Sequence, residues 1–283
     1  MLLTNAKRLC VSLLKHFQDT LSKILKGESD FKRSFLQPID ALLLKTFTHQ
    51  GKLKEVQNPY FSIMDSHKPA KDNHIPIVEI SNNRAQVDET TKHLIKIIDI
   101  KMKNLQIQED LAQEVRDCLS YICAELLNNV ADHSGASGWA MAQCYEKNGS
   151  AIEFGVVDTG VGFLERIRTK FQAFTESYAI ELAIQRGVTA SPPSMYGGER
   201  NAGYGLFYIS ELIKHIPDSE LLIASNDGLI YLTNDKIKKI KLEGSIRGVL
   251  VCFSLPINLS YDLKTMLRVI NTPQSQTPQE GIF

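Results

Sequence analysis

Two apolar runs separated by an Asn148-Gly149 dipeptide constrain the fold of this chain more than any other feature. The runs read GWAMAQCYEK and AIEFGVV. Asn-Gly between two apolar runs is the strongest short-range signal for a β-hairpin. We therefore predict that the two runs are neighbouring antiparallel strands of one sheet.

Helical and strand-like stretches surround this hairpin in an order typical of an α/β domain. Before it, the apolar spacing predicts a short strand near residues 76–80, a helix over 86–103 and a long helix over 108–133. After it, we predict helices near 176–186 and 204–215, with strands LLIAS, LIYLT and VLVCFSL. The predicted fold is a two-layer α/β sandwich, with a mixed, largely antiparallel sheet covered on one face by helices.

The first quarter of the chain differs from this domain. Apolar residues at helical spacing over 3–26, followed by the stretch PIDALLLKTFTHQ, predict a small, separate N-terminal helical element over 1–56. The polar, proline-containing residues 57–75 predict a linker, and we assign 76–260 to the main domain. Residues 261–283 form a C-terminal tail that we expect to be disordered at its end. The apolar stripe of the first helix has no obvious mate, which suggests a homodimer through the N-terminal helices.

Composition narrows the function classes. The 32 basic and 32 acidic residues cancel, so no overall charge attracts the chain to nucleic acid or to an anionic membrane, and we predict neither partner. The five cysteines are widely spread, unlike a disulfide framework or a zinc site. Charged residues interrupt the apolar N-terminus, which lacks the continuous core of a signal peptide or membrane span. We therefore expect a cytoplasmic protein.

A polar stripe lies on the predicted helix CAELLNNVADHS. Glu125, Asn129 and His133 are spaced four residues apart and therefore point from one face of that helix. Apolar residues cover the opposite face. The stripe is either a binding surface or the solvated side of a structural helix, and both interpretations stay open at this point.

The second motif, VVDTGVGF, places Asp158 at the end of an apolar strand, just before Gly160 and Gly162. A carboxylate there can accept a hydrogen bond from an exocyclic amine, and the glycines let the backbone approach a flat ligand closely. Aspartate and glycine are also preferred in tight turns, so a plain turn is the alternative.

The third motif, GGERNAGYGLFYISELI, is a glycine-rich segment that runs directly into an amphipathic helix and includes Gly203 and Gly205. Such a junction offers free backbone N–H groups to phosphate oxygens at the helix N-terminus. It is neither a Walker A loop nor a dinucleotide-binding fingerprint on a βαβ unit.

The three motifs together are more specific than any one of them. A helix with E-x-x-x-N, then D-x-G-x-G at a strand end, then G-x-G-L opening a helix resembles the N, G1 and G2 boxes of the GHKL superfamily. That superfamily includes gyrase, the heat-shock chaperone ATPases, histidine kinases, MutL and the anti-sigma-factor kinases. The resemblance implies a Bergerat-type ATP-binding fold, with ATP and Mg²⁺ as cofactors.

The resemblance also implies roles for individual side chains. Asn129 matches the Mg²⁺ ligand, and Asp158 matches the aspartate that binds the adenine amino group. Glu125 matches the acid that activates water in hydrolases or assists phosphotransfer in kinases. His133 and Arg200 match positions that contact phosphates, although His133 can equally be a helix-end histidine and Arg200 a surface cation.

The glycines and the segment between the motifs complete the implied site. Gly160 and Gly162 would flank the adenine, and Gly203 and Gly205 would lie beside the phosphates. Residues 163–202 correspond to the ATP lid of the superfamily.

The use of the nucleotide is less defined. No histidine has the flanking pattern of a phosphoacceptor, and the chain is too short to add transducer domains. The resemblance therefore implies a stand-alone regulatory protein, similar to anti-sigma-factor serine kinases and to the catalytic domain of histidine kinases. We predict that it binds Mg-ATP and phosphorylates or switches an unidentified partner protein. The alternatives are a non-catalytic, ATP-dependent interaction module and a slow, dimer-coupled ATP hydrolase.

Overall fold

A computed structural model of the chain describes residues 12–32, 36–65, 74–80, 84–133, 136–145, 151–188, 205–257 and 262–271. The helices and strands within these residues are, in chain order, α1 (Leu13–Leu25), α2 (Pro38–His49), α3 (Pro59–Met64), β1 (His74–Ile80), α4 (Arg84–Asn104), α5 (Glu109–His133), β2 (Gly138–Tyr145), β3 (Ala151–Asp158), α6 (Phe163–Ile167), α7 (Glu176–Ala183), α8 (Gly205–His215), β4 (Glu220–Thr233), β5 (Ile237–Pro256) and α9 (Leu263–Asn271).

One five-stranded sheet with the order β1-β2-β3-β5-β4 organises the chain, and every neighbouring pair is antiparallel. The predicted pairing of the two apolar runs is confirmed, because β2 and β3 pair along their whole length from Gly138 opposite Asp158 to Tyr145 opposite Ala151. The turn at Asn148-Gly149 lies outside the described residues. Within the described residues the sheet is purely antiparallel, whereas we predicted a mixed, largely antiparallel sheet.

The last two strands are longer than the sequence patterns indicate. LLIAS and LIYLT are parts of the single strand β4, which contains a register irregularity between Ser225 and Gly228. VLVCFSL is only the second half of β5, which already begins at Ile237. Asn226-Asp227, which reads as a loop, instead lies within a continuous strand, opposite extra residues of β5 between Lys241 and Val249.

Helices α4, α5 and α8 cover one face of the sheet, as the two-layer α/β sandwich requires. Apolar residues of α5, such as Leu119 and Leu126, share one core cluster with Phe154 of β3 and Phe253 of β5. Along β3 and β5, successive residues alternate between this cluster and a second one. Both faces of the sheet are therefore apolar and need a covering layer.

The N-terminal helices cover the second face, so our prediction of a separate element without a mate is wrong. Phe17 and Leu21 of α1 lie in one core cluster with residues of α2 and with Trp139, Leu222 and Leu250 of the sheet. The apolar stripe of α1 is thus buried within the same chain. The stripe therefore no longer gives a reason to expect a homodimer through these helices.

Local signals in the sequence define where these first helices begin. The Ser12 hydroxyl caps α1 by accepting a hydrogen bond from the N–H of Lys15, and the Asn58 side chain caps α3 by accepting one from the N–H of Phe61. Proline follows the cap residue of α2 and of α3, where its missing N–H removes no helical hydrogen bond. The predicted linker therefore contains a capped helix.

Three further findings concern the composition and the tail. Cys118, Cys123, Cys144 and Cys252 are all buried, and burial raises the pKa of the Cys118 thiol to about 12. In the part of the chain that the structure describes, no helix is long and apolar enough to cross a membrane. The predicted tail begins with helix α9, and residues 272–283 lie outside the described ranges.

Candidate functional site

The first and third sequence motifs meet where α8 begins. A Cβ atom built on Gly205, the first residue of α8, would lie only 2.2 Å from Oε2 of Glu125 on α5. A side chain at position 205 would therefore require this carboxylate to move away from the start of α8. The glycine allows the acid of the helix motif to approach the N-terminus of α8, where the backbone N–H groups of the first turn lack helical partners.

The carboxylate of Glu125 is partly buried. Burial raises the pKa of Glu125 above its ordinary value. One turn earlier on α5, the ring of Tyr121 packs edge-on against Tyr208 of α8, with ring centroids 6.3 Å apart. Burial also raises the pKa of Tyr121, and the nearby Glu125 adds to that shift. Glu125 is therefore a partly desolvated acid, a common property of groups that transfer protons.

The second motif forms a buried corner at the end of β3. Asp158 is only 7% exposed, and its Oδ1 accepts a hydrogen bond of 2.8 Å from the N–H of Gly160. Burial raises the pKa of Asp158 to about 6, and the N–H of Gly160, the charge of Arg166 and the N–H of Val249 partly oppose that shift. The carboxylate is mostly ionised at neutral pH and can accept more hydrogen bonds than these.

Gly248 on β5 is needed for this corner, and the sequence analysis missed it. Its φ is +99°, and a Cβ atom there would lie 2.0 Å from the backbone oxygen of Asp158 and 2.8 Å from the Cα of Thr159. Only glycine satisfies both the backbone angle and the close approach. The dipeptide Arg247-Gly248 lies inside a strand-like run, so no local pattern marks this contact.

A second buried acid fixes the loop that follows Asp158. Oε1 of Glu176, the first residue of α7, accepts hydrogen bonds from the N–H groups of Phe163 (2.8 Å) and Leu164 (3.1 Å) and from the hydroxyl of Ser225. Phe163 and Leu164 are the first residues of α6, so the carboxylate caps that helix across a gap in sequence. This contact was also missed, because it joins residues from α7 and β4.

Gly162 and Asn226 of β4 complete the support of the loop that follows Asp158. Gly162 has a φ of +87°, and a Cβ atom there would lie 2.3 Å from Nδ2 of Asn226. That same Nδ2 donates a hydrogen bond of 3.2 Å to the backbone oxygen of Val161. The predicted adenine-flanking glycines therefore belong to a loop that α7 and β4 hold in place.

Asn129 lies on α5 between Glu125 and the end of the helix that packs beside Asp158. It is half-buried, one helical turn after Glu125 on α5. The next residue, Val130, faces Gly138: a Cβ atom on Gly138 would lie 2.3 Å from Cγ1 of Val130 and 3.8 Å from Cβ of Asp158. The end of α5 that carries Asn129 therefore packs beside the strand end that carries Asp158.

Several predicted site residues cannot be placed. His133 is the last residue of α5, and its side chain lies outside the described part of the structure. Arg200 and Gly203 lie wholly outside it. Within the predicted lid, α6 and α7 share a small core that includes Ile167 and Ala179.

No group of three or more His, Cys, Asp or Glu side chains that could hold a metal ion occurs among the described residues. A bound Mg²⁺ would therefore need ligands from elsewhere, and nucleotide phosphates commonly supply them together with one or two protein oxygens. Asn129 is the residue that could contribute such an oxygen here.

Comparisons of the chain with protein-family models, with curated proteins and with solved structures found no match. The class of protein is thus defined by its fold and site alone. It is an α/β protein with an antiparallel sheet. Strand β3 of that sheet ends at the buried Asp158, and nearby α5 places Glu125 beside the N-terminus of α8.

Proposed function

We propose that the protein binds Mg-ATP as a regulatory protein of the GHKL type and phosphorylates or switches a partner protein. The contact between Gly205 and Glu125 carries the proposal, because it joins two motifs that are far apart in the sequence. An ordinary solvated helix face would have no need of a glycine opposite its acid. The end of β3, which carries Asp158 of the second motif, packs beside the same helix α5.

Asp158 gives the site its preference for adenine. Its carboxylate can accept a hydrogen bond from the adenine amino group, whereas guanine has a carbonyl oxygen at the corresponding position. A buried carboxylate facing a carbonyl oxygen would be left without a donor. We therefore expect GTP to bind at least about 100-fold more weakly than ATP.

The phosphates would lie between Asn129 and the first turn of α8. The backbone N–H groups at the start of that helix favour anions, both as donors and through the helix dipole. Mg²⁺, when bound, supplies charge neutralisation and orientation of the phosphate oxygens. The side chain of Asn129 would hold and orient the metal-bound phosphates from the α5 side.

Glu125 is suited to accept a proton from the attacking group. The burial that raises its pKa makes the carboxylate a stronger base than an exposed glutamate. The attacking group would be a hydroxyl of the partner in a kinase, or water in a hydrolase. The slow hydrolase is thus the second candidate function, because the same residue serves both reactions.

Calorimetry of nucleotide binding is the first experiment. We expect Mg²⁺-dependent ATP binding by the native chain, loss of binding in Asp158→Asn, and loss of the Mg²⁺ dependence in Asn129→Ala. Exposed residues of the same types on α4 provide matched controls, namely Asp88→Asn and Asn104→Ala, which should bind as the native chain does. A native chain that binds no ATP, or equal losses in the controls, would exclude the proposal.

Turnover separates the two candidate functions. With labelled ATP, a kinase would transfer the γ-phosphate to a partner protein, whereas a hydrolase would release phosphate without one. Glu125→Gln keeps the size of the side chain but removes the base, so it should abolish either reaction while ATP binding stays within a few-fold of native. If Glu125→Gln turned over normally, the base would be another residue.

A further inference from the structure

The first half of β5 has a strand on only one side. It pairs with β4 from Ile237 to Lys241 and again at Ile246, with a register irregularity between these positions, while its pairing with β3 begins only at Val249. Among the described residues, the β3 side of 237–246 therefore faces no strand. A row of backbone N–H and C=O groups along such an edge is able to pair with another extended segment.

This edge is basic in a chain without net charge. Residues 236–247 contain five basic side chains and one acidic side chain, against 32 of each in the whole chain. Lys239 forms an ion pair with Glu181 of α7, while Lys238 and Lys241 are exposed. The side chains next to the open backbone therefore carry a net positive charge.

The edge is also held firmly in position. Leu242 and Ile246 of β5 are buried in the core cluster that contains α1, and a Cβ atom on Gly244 would lie 2.5 Å from Cδ2 of Leu25. On the other side, α7 is linked to the strand through the Glu181 ion pair. Ile237, which is 49% exposed, adds an apolar side chain at the start of the edge.

We propose that the free edge of β5 between residues 237 and 246 binds an extended acidic segment of a partner protein as an added strand. Backbone hydrogen bonds supply affinity in such a complex, and pairing of glutamate or aspartate with Lys238 and Lys241 supplies selectivity. A second copy of the chain fits less well, because it would bring another edge with an excess of basic side chains against this one. A nucleic acid would use the charge but leave the open backbone unpaired. The proposal does not depend on nucleotide binding.

Fluorescence anisotropy with a labelled peptide tests this surface. The probe is a synthetic peptide as long as the free edge, rich in valine and threonine, with glutamates placed on both faces of the strand because Lys238 and Lys241 lie on opposite faces. We expect saturable binding, and an affinity about tenfold lower in the double variant Lys238→Glu/Lys241→Glu, because like charges oppose each other across paired strands. Lys54→Glu/Lys92→Glu, at exposed positions far along the chain, is the charge-matched control and should change the affinity less than about twofold.

Two further probes keep the proposal testable on the native chain if the charge variant folds poorly. The same peptide with alternate backbone nitrogens methylated keeps its charge but cannot complete the strand pairing, so it should lose binding. Single-stranded DNA of equal charge should bind more weakly than the peptide. Absence of peptide binding, equal binding of the methylated peptide, or tighter binding of the DNA would each overturn the proposal.

Discussion

Asp158 and Asp40 are both buried aspartates, yet their surroundings differ in a way that separates a binding group from a structural one. Asp40, 1% exposed, accepts hydrogen bonds from the hydroxyl of Thr20 (2.6 Å) and the N–H of Gln37 (2.9 Å), and lies 2.8 Å from Nδ1 of His16. These partners come from its own helix start and from α1. Asp40 therefore has its hydrogen-bonding needs met within the chain.

Asp158 has fewer donors, namely the N–H of Gly160 at its own strand end and the N–H of Val249 on β5. Burial raises its pKa to about 6 because the donors around it do not fully replace water. A carboxylate in that condition gains more from an incoming donor than a satisfied one does. The comparison supports a structural role for Asp40 and leaves Asp158 with unused capacity to accept hydrogen bonds, as the proposed nucleotide site requires.

The largest effect should follow from removing Asp40. Asp40→Ala leaves the partners of this carboxylate without an acceptor inside the core, so we expect the free energy of unfolding to fall by about 3 to 4 kcal/mol. Denaturant titration measures it, with Asp19→Ala at an exposed position of α1 as the control. A loss below about 1 kcal/mol would mean that the interpretation of Asp40 as structural is wrong.

Gly248→Ala should act on the Asp158 corner. Its Cβ would overlap the backbone of Asp158 at a positive φ, so we expect a loss of about 2 to 3 kcal/mol of stability together with weaker ATP binding. Gly27→Ala is the matched control, because Gly27 also has a positive φ (+76°) but nothing lies within 4 Å of the added atom. It should cost about 1 kcal/mol and leave ATP binding intact. Equal costs would show that strain alone matters.

Asp158→Asn should separate binding from stability. The native pKa of Asp158, about 6, lies above its ordinary value of 3.8, so the folded state holds more protons than the unfolded state between these values. The unfolding free energy of the native protein should therefore fall as pH rises from about 4 to 6, relative to the asparagine variant. At pH 7 the variant should be more stable, by about 2 kcal/mol and not more than about 3.

The same titration should appear in ligand binding with the opposite sign. If Asp158 accepts a hydrogen bond from adenine, the ionised form binds, and ATP affinity should rise as pH rises through about 6. Calorimetry across that range measures it. An ATP affinity that does not change with pH would mean that the Asp158 carboxylate does not contact the nucleotide.

The smallest expected effect concerns one donor of Asp40. Thr20→Val removes the hydroxyl and keeps the shape of the side chain, so we expect a loss of about 1 kcal/mol and unchanged ATP binding. Denaturant titration again measures the stability. A larger effect than that of Asp40→Ala would show that Thr20 contributes mainly through packing.

The sequence predicted those parts of the molecule that depend on neighbouring residues. The paired strands β2 and β3, the long helix α5 and the strand end at Asp158 follow from local periodicity and turn residues. Asp40 was not predicted, because two of its partners lie on another helix. Gly248 and Glu176 were missed for the same reason, since each acts on a segment far from it in sequence.

The N-terminal helices show a related limit. Periodicity identified the apolar stripe of α1, but periodicity does not state which surface covers a stripe. The stripe of α1 packs against the second face of the sheet. That face is apolar because both the odd-numbered and the even-numbered positions of the strands carry apolar residues. A strand that is apolar on both faces was the signal that could have predicted that the N-terminal helices cover the second face of the sheet.

Strand β5 runs without interruption from the basic edge at 237–246 to Gly248 and the strand pairing beside Asp158. The two surfaces are thus neighbours on one strand, separated by the irregular stretch that contains Gly248 with its φ of +99°. By thermodynamic reciprocity, any effect of a nucleotide on the affinity of the edge must equal the effect of an edge ligand on the affinity for the nucleotide.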